Sequence, residues 1–488
     1  MQLTELLNYI SSAKVIGEVQ RKDLSGVHYD SRKVKKNSIF VAIQGFKTDG
    51  HKFIPEALNK GAVAVVLENN DAFPDEYFLH THSAKIIVPS SRRALAEISN
   101  ALYKNVSSEF RLTGITGTNG KTTTAFFVKS ILEQNGYKTG LLGTIKNMIG
   151  NKEISSVLTT PESNDLNELF LQMKNENCSD VVMEVSSHSL VLDRVYGLNF
   201  KGGVFTNFTS DHLDFHGTVE NYLNAKKIFF DSLSESSVCV YNIDDPASEK
   251  LLKDTRAKIY SFGFSEVSDY RISNIFFGFE GTKFTIKGKS GEYPVSTSLI
   301  GDFNAYNAAA AFSITVSYGI SPDIAVAGIG NTPQVPGRFE LISREKKYVI
   351  VDYSHTADSL KKALLVVRKI TPASVPVYTV FGCGGNRDTS KRPEMGKIAS
   401  ELSDMVIITN DNPRDEEPGE IINQILKGIS NQNYKVILDR EEAIKYAIRY
   451  SDREAVILIA GKGHETYQEL KGRRFHFSDK EIAEKYLS

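Results

Sequence analysis

The chain has 488 residues, 58 of them basic and 59 acidic, for a formal net charge of −1; that length leaves room for roughly three domains of about 100–200 residues. So even a balance excludes nucleic acid or an anionic membrane as a partner read from charge, and no apolar run approaches the roughly 20 residues of a membrane span. Met1–Leu6 carries an acid where a signal peptide would be basic, and three cysteines (Cys178, Cys239 and Cys383), an odd number, point to a reducing, cytoplasmic setting rather than a disulfide framework.

The first hundred residues carry strand-like runs at 38–43, 62–67 and 85–88, with helical patterns at 54–59 and 93–103. The polar stretch 105–109 reads as a linker. A buried strand is expected over 110–115 and a helix over 125–132, and between them lies Gly117-Thr118-Asn119-Gly120-Lys121-Thr122-Thr123. Two glycines let the backbone bend so that main-chain N–H groups and the helix N-terminus face a triphosphate. Lys121 supplies a point charge for the β- and γ-phosphates, and the Thr122 hydroxyl suits Mg²⁺. The strict Walker spacing asks for glycine where Ile115 stands, so the loop is a variant ATP site.

Further strands are expected at 180–185, 203–207 and 237–242, then a β-meander over 270–297 and an alanine-rich helix over 305–318. Glu184 ends the first of these strands, a natural place for a Mg²⁺ ligand, with a buried cap as the alternative. Thr206 to Gly217 holds Asp211, His212, Asp214 and His216; the residues alone leave metal site and solvated loop both open. Lys226 lies on an expected helix and by default is a solvated surface charge.

Near 335–337 the chain enters a third unit, with strands expected at 348–352, 375–381, 404–409, 435–438 and 455–459 alternating with helices. Such alternation means parallel sheets, whose ligands sit beyond the strands' carboxyl ends. Three strand ends carry Gly382–Asp388 with Arg387, then Asp411-Asn412-Pro413-Arg414, then Gly461-Lys462-Gly463-His464-Glu465. Arginines bind carboxylates in bidentate fashion while acids hold ammonium groups, so the trio describes a pocket for a zwitterionic amino acid. Cys383, among glycines, reads as a small buried residue of a tight turn.

Together, the phosphate loop, Glu184-Val185-Ser186-Ser187-His188, Asp211-His212-Leu213-Asp214, Asp352-Tyr353-Ser354-His355-Thr356 and Gly461–Glu465 resemble the motifs of the Mur ligases, ATP-dependent amide-forming enzymes of peptidoglycan precursor synthesis. The phosphate loop alone is shared with folylpolyglutamate synthetases; the Asp411–Arg414 string and the N-terminal unit count against that reading. A P-loop phosphotransferase would leave the arginine pocket unexplained.

The resemblance implies an α/β protein of three domains: a UDP-substrate-binding domain over 1–106, a central P-loop-type ATPase domain with a mostly parallel sheet over 107–335, and a C-terminal Rossmann-like domain over 336–488. It implies a cytoplasmic monomer that joins meso-diaminopimelate to UDP-N-acetylmuramoyl-L-alanyl-D-glutamate through an acyl phosphate, using ATP and Mg²⁺. By the family pattern Ser31, Phe46, Lys47, Thr48, Thr159, Thr160, Ser186 and Arg194 hold the UDP-substrate. Asn304, Arg338 and Asp352 join residues 117–123 at ATP. Arg387, Asp411, Asn412, Pro413, Arg414, Gly461 and Glu465 form the amino-acid pocket. Lys121, Glu184, His212 and Lys226 are catalytic, with Lys226 carbamylated and the metal held by Thr122, Glu184, His212 and Lys226. Two positions depart from the pattern: Ala357 replaces a frequent proline, and Leu192 stands where some members contact substrate through glutamine.

Overall fold

The structure, a computed structural model, describes residues 1–46 and 48–488. Three large sheets follow one another along the chain. The first has five strands in the order Lys14–Gly17, Ala84–Ile87, Ala64–Leu67, Ser38–Val41, Gly26–His28, parallel except at the Lys14–Gly17 edge. Ser38–Val41 and Ala64–Leu67 are buried along their whole length, as strands covered on both faces must be.

The central sheet has eleven strands. Its parallel core runs Lys258–Gly263, Val238–Asn242, Phe200–Phe205, Arg111–Thr116, Asp180–Glu184, Thr139–Leu142. An antiparallel meander flanks each side: the expected one over Tyr270–Thr297, and a pair, Lys146–Ile149 and Lys152–Ser155, that the sequence reading missed. The strand leading into the phosphate loop therefore lies between the strands that end at Phe205 and at Glu184. Three motif-bearing strand ends are neighbours.

The third sheet runs Glu340–Arg344, Lys347–Asp352, Ala455–Ala460, Val377–Phe381, Met405–Ile408, Tyr434–Val436, antiparallel only at its first pair. Ala455–Ala460 is buried throughout. The segments after Asp352, Ala460, Phe381 and Ile408 again leave adjacent strands on one edge. A small hairpin, Tyr467–Leu470 with Arg473–His476, stands apart from this sheet.

One expectation is refined and one corrected. The stretch 105–109 connects the first unit's last helix to the central sheet, and it is ordered: Val106–Glu109 forms a 3₁₀ turn with Val106 buried in the core shared with Phe110 and Phe170. The helix after the phosphate loop spans Lys121–Gln134 rather than starting at 125, because Gly120, at φ +85°, is its N-cap. The Tyr29 hydroxyl donates to Asp165 (2.5 Å) and Asn167 donates to Asn100 (3.0 Å), joining the first two units; Phe279 stacks on Tyr348 at 3.9 Å, joining the second and third.

Candidate active site

Glycine is required at two points of the phosphate loop. Gly117 lies at φ +147°, and a Cβ there would stand 1.9 Å from Thr206 Oγ1; Gly120 would place one 2.3 Å from Asn307 Oδ1. The loop is latched from the neighbouring strand end. Thr118 N donates to Asn207 O (2.8 Å), Asn119 N to Asn207 Oδ1 (3.0 Å) and Thr206 Oγ1 to Asn119 O (2.6 Å). Lys121 Nζ folds back to donate to Gly117 O and Thr118 O, both at 2.9 Å. Its buried ammonium is pushed below its ordinary pKa by loss of water, partly offset by Glu184.

Glu184 is 1% exposed and collects three donors at 2.9 Å: Thr122 Oγ1, Thr144 N and Thr144 Oγ1. Thr144 is a contact that sequence reasoning missed. Lys226, also 1% exposed, refutes the surface-charge default; Lys227 takes that role, paired with Asp231 at 2.7 Å and Asp254 at 2.5 Å. Burial, then the nearby charge of Lys121, holds the Lys226 amine well below its usual pKa.

His212 has a left-handed backbone (φ +53°); its side chain is 44% exposed, yet partial loss of water lowers its ring to about 4, so the imidazole is neutral near pH 7 with a lone pair to offer. Lys121 and Lys226 both act on it electrostatically, and Glu184 acts in turn on Lys121, so the expected catalytic residues share one neighbourhood. Among the described residues, no three or more His, Cys, Asp or Glu side chains gather as a metal cluster. The donors present are mixed: one carboxylate, one imidazole, a hydroxyl and a buried amine.

A cavity of about 460 Å³ separates the central and third sheets, within the range of small-molecule sites. Asn119, Gly120, Thr123 and Asn307 line one wall; Arg338, Asp352 and His355 line the other; Phe277, Phe303 and Phe339 add apolar surface. Arg338 lies over the Tyr353 ring (4.6 Å) and its Nη2 donates to Thr122 Oγ1 at 3.4 Å, reaching from the third unit to the phosphate loop. Its Nε is buried with no partner among the described residues. Asp352 accepts from Phe339 N (2.8 Å), and burial raises its carboxyl. Asn304 stands one layer back from the cavity: its Oδ1 accepts from Asn307 Nδ2 (3.1 Å), so it orients Asn307, which sequence reasoning missed.

Thr160, Ser186 and Arg194 come together. Thr160 Oγ1 donates to Glu184 O (2.8 Å), Ser186 N donates to Thr160 Oγ1 (3.1 Å) and Arg194 Nη1 to Thr160 O (3.1 Å). Thr159 Oγ1 lies 3.1 Å from Thr144 Oγ1. In the first unit Ser31 is buried and donates to Glu56 (2.7 Å), while the Thr48 side chain is exposed. Lys47 lies outside the described residues. Phe46, 75% exposed, sets its ring edge on Phe215 (5.6 Å), which in turn lies 4.2 Å from His188.

At the third sheet, Arg414 adopts φ +52° and donates from Nη1 to Gly385 O (2.6 Å). The hairpin grips its backbone: Arg414 N donates to Glu469 O (3.1 Å) and Lys471 N to Arg414 O (2.7 Å). A Cβ at Gly384 would meet Arg414 Nη1 at 3.1 Å and Arg387 Cγ at 3.9 Å, so both arginines converge on that glycine. Asp411 is largely buried, its Oδ1 accepting from Asn412 N (2.7 Å), and Gly461 passes so close that a Cβ would lie 2.7 Å from Asp411 Oδ2. Pro413 packs its carbonyl against Gly385. Glu465 Oε2 already accepts from Asn412 Nδ2 and from buried Lys462, each at 2.8 Å. Lys462, inside the Gly461–Glu465 motif, is a partner that sequence reasoning missed. Arg392, fully buried and paired with Glu416 at 2.8 Å, belonged to no motif at all.

The chain has many relatives among known proteins. The model of the Mur ligase family, catalytic domain, matches residues 23–103; that of the Mur ligase middle domain matches 115–315; that of the Mur ligase, glutamate ligase domain, matches 337–463. A UDP-N-acetylmuramoyl-L-alanyl-D-glutamate--2,6-diaminopimelate ligase of Clostridium tetani is 42% identical over 494 residues, covering 100% of this chain and 99% of the relative. The protein of that name from Bacteroides thetaiotaomicron is 42% identical over 99% of both. A solved structure of a ligase with the same name superposes with a TM-score of 0.70 at 28% identity, covering 100% of this chain and 98% of the other. A folylpolyglutamate synthase of Thermotoga maritima shares the fold at a TM-score of 0.60 and 19% identity over 75% of this chain and 89% of its own.

Proposed function

The chain belongs to the Mur ligase family, and on that premise we propose how its site works. It is an ATP-dependent ligase of peptidoglycan synthesis that adds meso-diaminopimelate to UDP-N-acetylmuramoyl-L-alanyl-D-glutamate. The observation that carries the reading is Arg338 of the third unit reaching Thr122 of the phosphate loop across the 460 Å³ cavity, beside the Arg387–Arg414 pocket. The limits 1–106, 107–335 and 336–488 divide its labour: UDP-substrate, ATP and amino acid.

The D-glutamyl carboxylate attacks the γ-phosphorus of ATP, giving an acyl phosphate and ADP; the amine of the amino acid then attacks the acyl carbon and phosphate leaves. Gly117 to Thr123 cradle the phosphates, Lys121 and Arg338 face the charge that develops, and Asn307, held by Asn304, lines the nucleotide cavity with Asp352. Thr160, Ser186 and Arg194 hold the dipeptide end of the UDP-substrate, while Ser31, Phe46, Lys47 and Thr48 hold the nucleotide-sugar end. Arg387 and Arg414 take carboxylate, and the Asp411–Pro413 segment with Gly461 and Glu465 takes the ammonium side.

The donor set fits Mg²⁺. The buried Lys226 amine, held well below its usual pKa, is nucleophilic toward CO₂ in its unprotonated form, and the carbamate so formed would join Thr122, Glu184 and neutral His212 as hard or borderline ligands. The ion would supply positive charge to phosphate oxygens. A cytoplasmic monomer completes the reading, in keeping with three buried, unpaired cysteines and with the absence, among the described residues, of any helix long and apolar enough to cross a membrane. ADP release is the test: it should require the UDP-substrate and rise with meso-diaminopimelate. Turnover of ATP without that substrate, or preference for L-lysine at equal concentration, would overturn the reading.

A further inference from the structure

Behind the amino-acid pocket lies an ion pair that none of the motifs includes. Arg440 begins the helix Arg440–Tyr450, and Asp479 begins the C-terminal helix Asp479–Leu487; both side chains are 0% exposed. Four of the five guanidinium donors are used. Nε donates to Asp479 Oδ1 (2.8 Å), Nη2 to Asp479 Oδ2 (2.8 Å) and to Ala460 O (3.0 Å), and Nη1 to Asn410 O (3.2 Å).

We propose that the Arg440–Asp479 pair positions the amino-acid pocket, fixing the separation between Arg414 and Glu465 so that both ends of one ligand are held together. Asn410 immediately precedes Asp411–Arg414, and Ala460 immediately precedes Gly461–Glu465. The strands that deliver them, Met405–Ile408 and Ala455–Ala460, are not neighbours; Val377–Phe381 lies between. Strands two apart stand roughly 9–10 Å from one another, a span that two guanidinium nitrogens with their acceptors nearly fill. Asp479 closes the circuit, because its helix follows the hairpin that grips the Arg414 backbone.

Stability alone does not account for the pair. Ala443, Ile444, Ala447 and Ile448 already bury the apolar face of the Arg440 helix, and a buried ion pair is often no better for stability than a well-packed apolar replacement. What an apolar pair lacks is donors for the two strand-end carbonyls. A ligand held at both ends feels a change in that separation; one held mainly at one end feels it less. Arg440 and Asp479 thus act on selectivity without touching the ligand.

The inference rests on the diaminopimelate reading, so wild-type enzyme is assayed first; failure to use meso-diaminopimelate there counts against that reading itself. Asp479→Asn and Arg440→Lys are then compared with wild type for KM of each substrate, for kcat, and for acyl-phosphate formation trapped with hydroxylamine. Expected is a tenfold or larger rise in KM for meso-diaminopimelate, with KM for ATP and the UDP-substrate within twofold and trapping unchanged. The ratio of diaminopimelate to L-lysine use should fall, and Asp479→Glu should recover part of it. Unchanged amino-acid KM in a folded Asp479→Asn, or all three KM values moving together, overturns the proposal. So does failure of both variants to fold, which makes the pair a folding element only.

Discussion

Lys226 and Arg414 show how much a single side chain's setting decides. Among the described residues Lys226 makes no ion pair; Tyr222 lies beneath its amine at 4.5 Å, and burial and Lys121 outweigh the more weakly opposing charge of Asp211. An unpaired buried amine is costly as an ammonium and less so when neutral, and a carbamate there needs a cation beside it to balance its charge. Lys226→Ala should fold normally yet lose most ligation, with small carboxylates restoring part of it; near-wild-type turnover would remove the carbamate from the mechanism. Arg414 keeps only one nitrogen on Gly385 O, leaving other donors for a ligand carboxylate, and Glu416, a rival partner for it, is taken by Arg392. Removing one member of a buried charge pair costs about 2–5 kcal/mol. At roughly 1.4 kcal/mol per factor of ten, Arg414→Ala should cut meso-diaminopimelate use by at least about tenfold to a hundredfold. L-lysine, lacking that carboxylate, should be affected far less; equal losses would place Arg414 elsewhere in the reaction.

Among the elements, the phosphate loop and its two flanking strand ends form one unit. Gly117→Ala would force a side chain into φ +147° and against Thr206 Oγ1, a strain of about 1–3 kcal/mol that falls on the latch between Asn119 and Asn207. ATP affinity in calorimetric titration should drop at least about tenfold while affinity for the UDP-substrate persists; equal loss of both would deny the division of labour between the units. The elements that carry chemistry were legible because strand, glycine turn and helix follow in the order phosphate binding demands, and because long apolar runs such as Ala455–Ala460 have one reading. Edge strands were less so. Arg473–His476 is exposed along its length and Lys152–Ser155 nearly so, hence no apolar alternation marks them; Tyr434–Val436, also exposed, is the one of these expected, at 435–438. Thr144 and Asn307 were invisible for another reason: each serves the site through a contact distant in sequence, Thr144 with Glu184 and Asn307 with Thr124 and the cavity wall formed by Asn119 and Gly120.

For the molecule as a whole, what no sequence pattern displays is how the units meet, and one meeting point is sensitive to pH. Phe46 of the first unit reaches Phe215 of the second beside His188, whose ring lies 4.9 Å from His212 and 5.5 Å from His216. Burial, the largest cause for each, lowers His188, His212 and His216 to about 4 from the ordinary 6.5. Asp211 and Asp214 face the cluster and oppose the shift at each of the three except at His212, where Asp211 alone is opposed by Lys121, His355 and Lys226. Between pH 6.5 and 4 the unfolded chain therefore binds protons that the folded chain refuses. Stability rises with pH across that window and is lost as pH falls through it, by up to about 1.4 kcal/mol per pH unit for each fully buried group. His216, almost wholly buried and 3.0 Å from Ser187 Oγ, is the cleanest case. The urea midpoint of the wild-type protein should fall between pH 7.5 and 5.5, where carboxylates still remain charged. His216→Gln, which keeps a hydrogen bond to Ser187 within reach but cannot take up a proton, should show a smaller fall over the same range. An identical pH slope in the variant would mean that His216 takes up its proton equally in the folded and unfolded chain, so that folding does not lower its pKa and the junction between the first two units tolerates the charge.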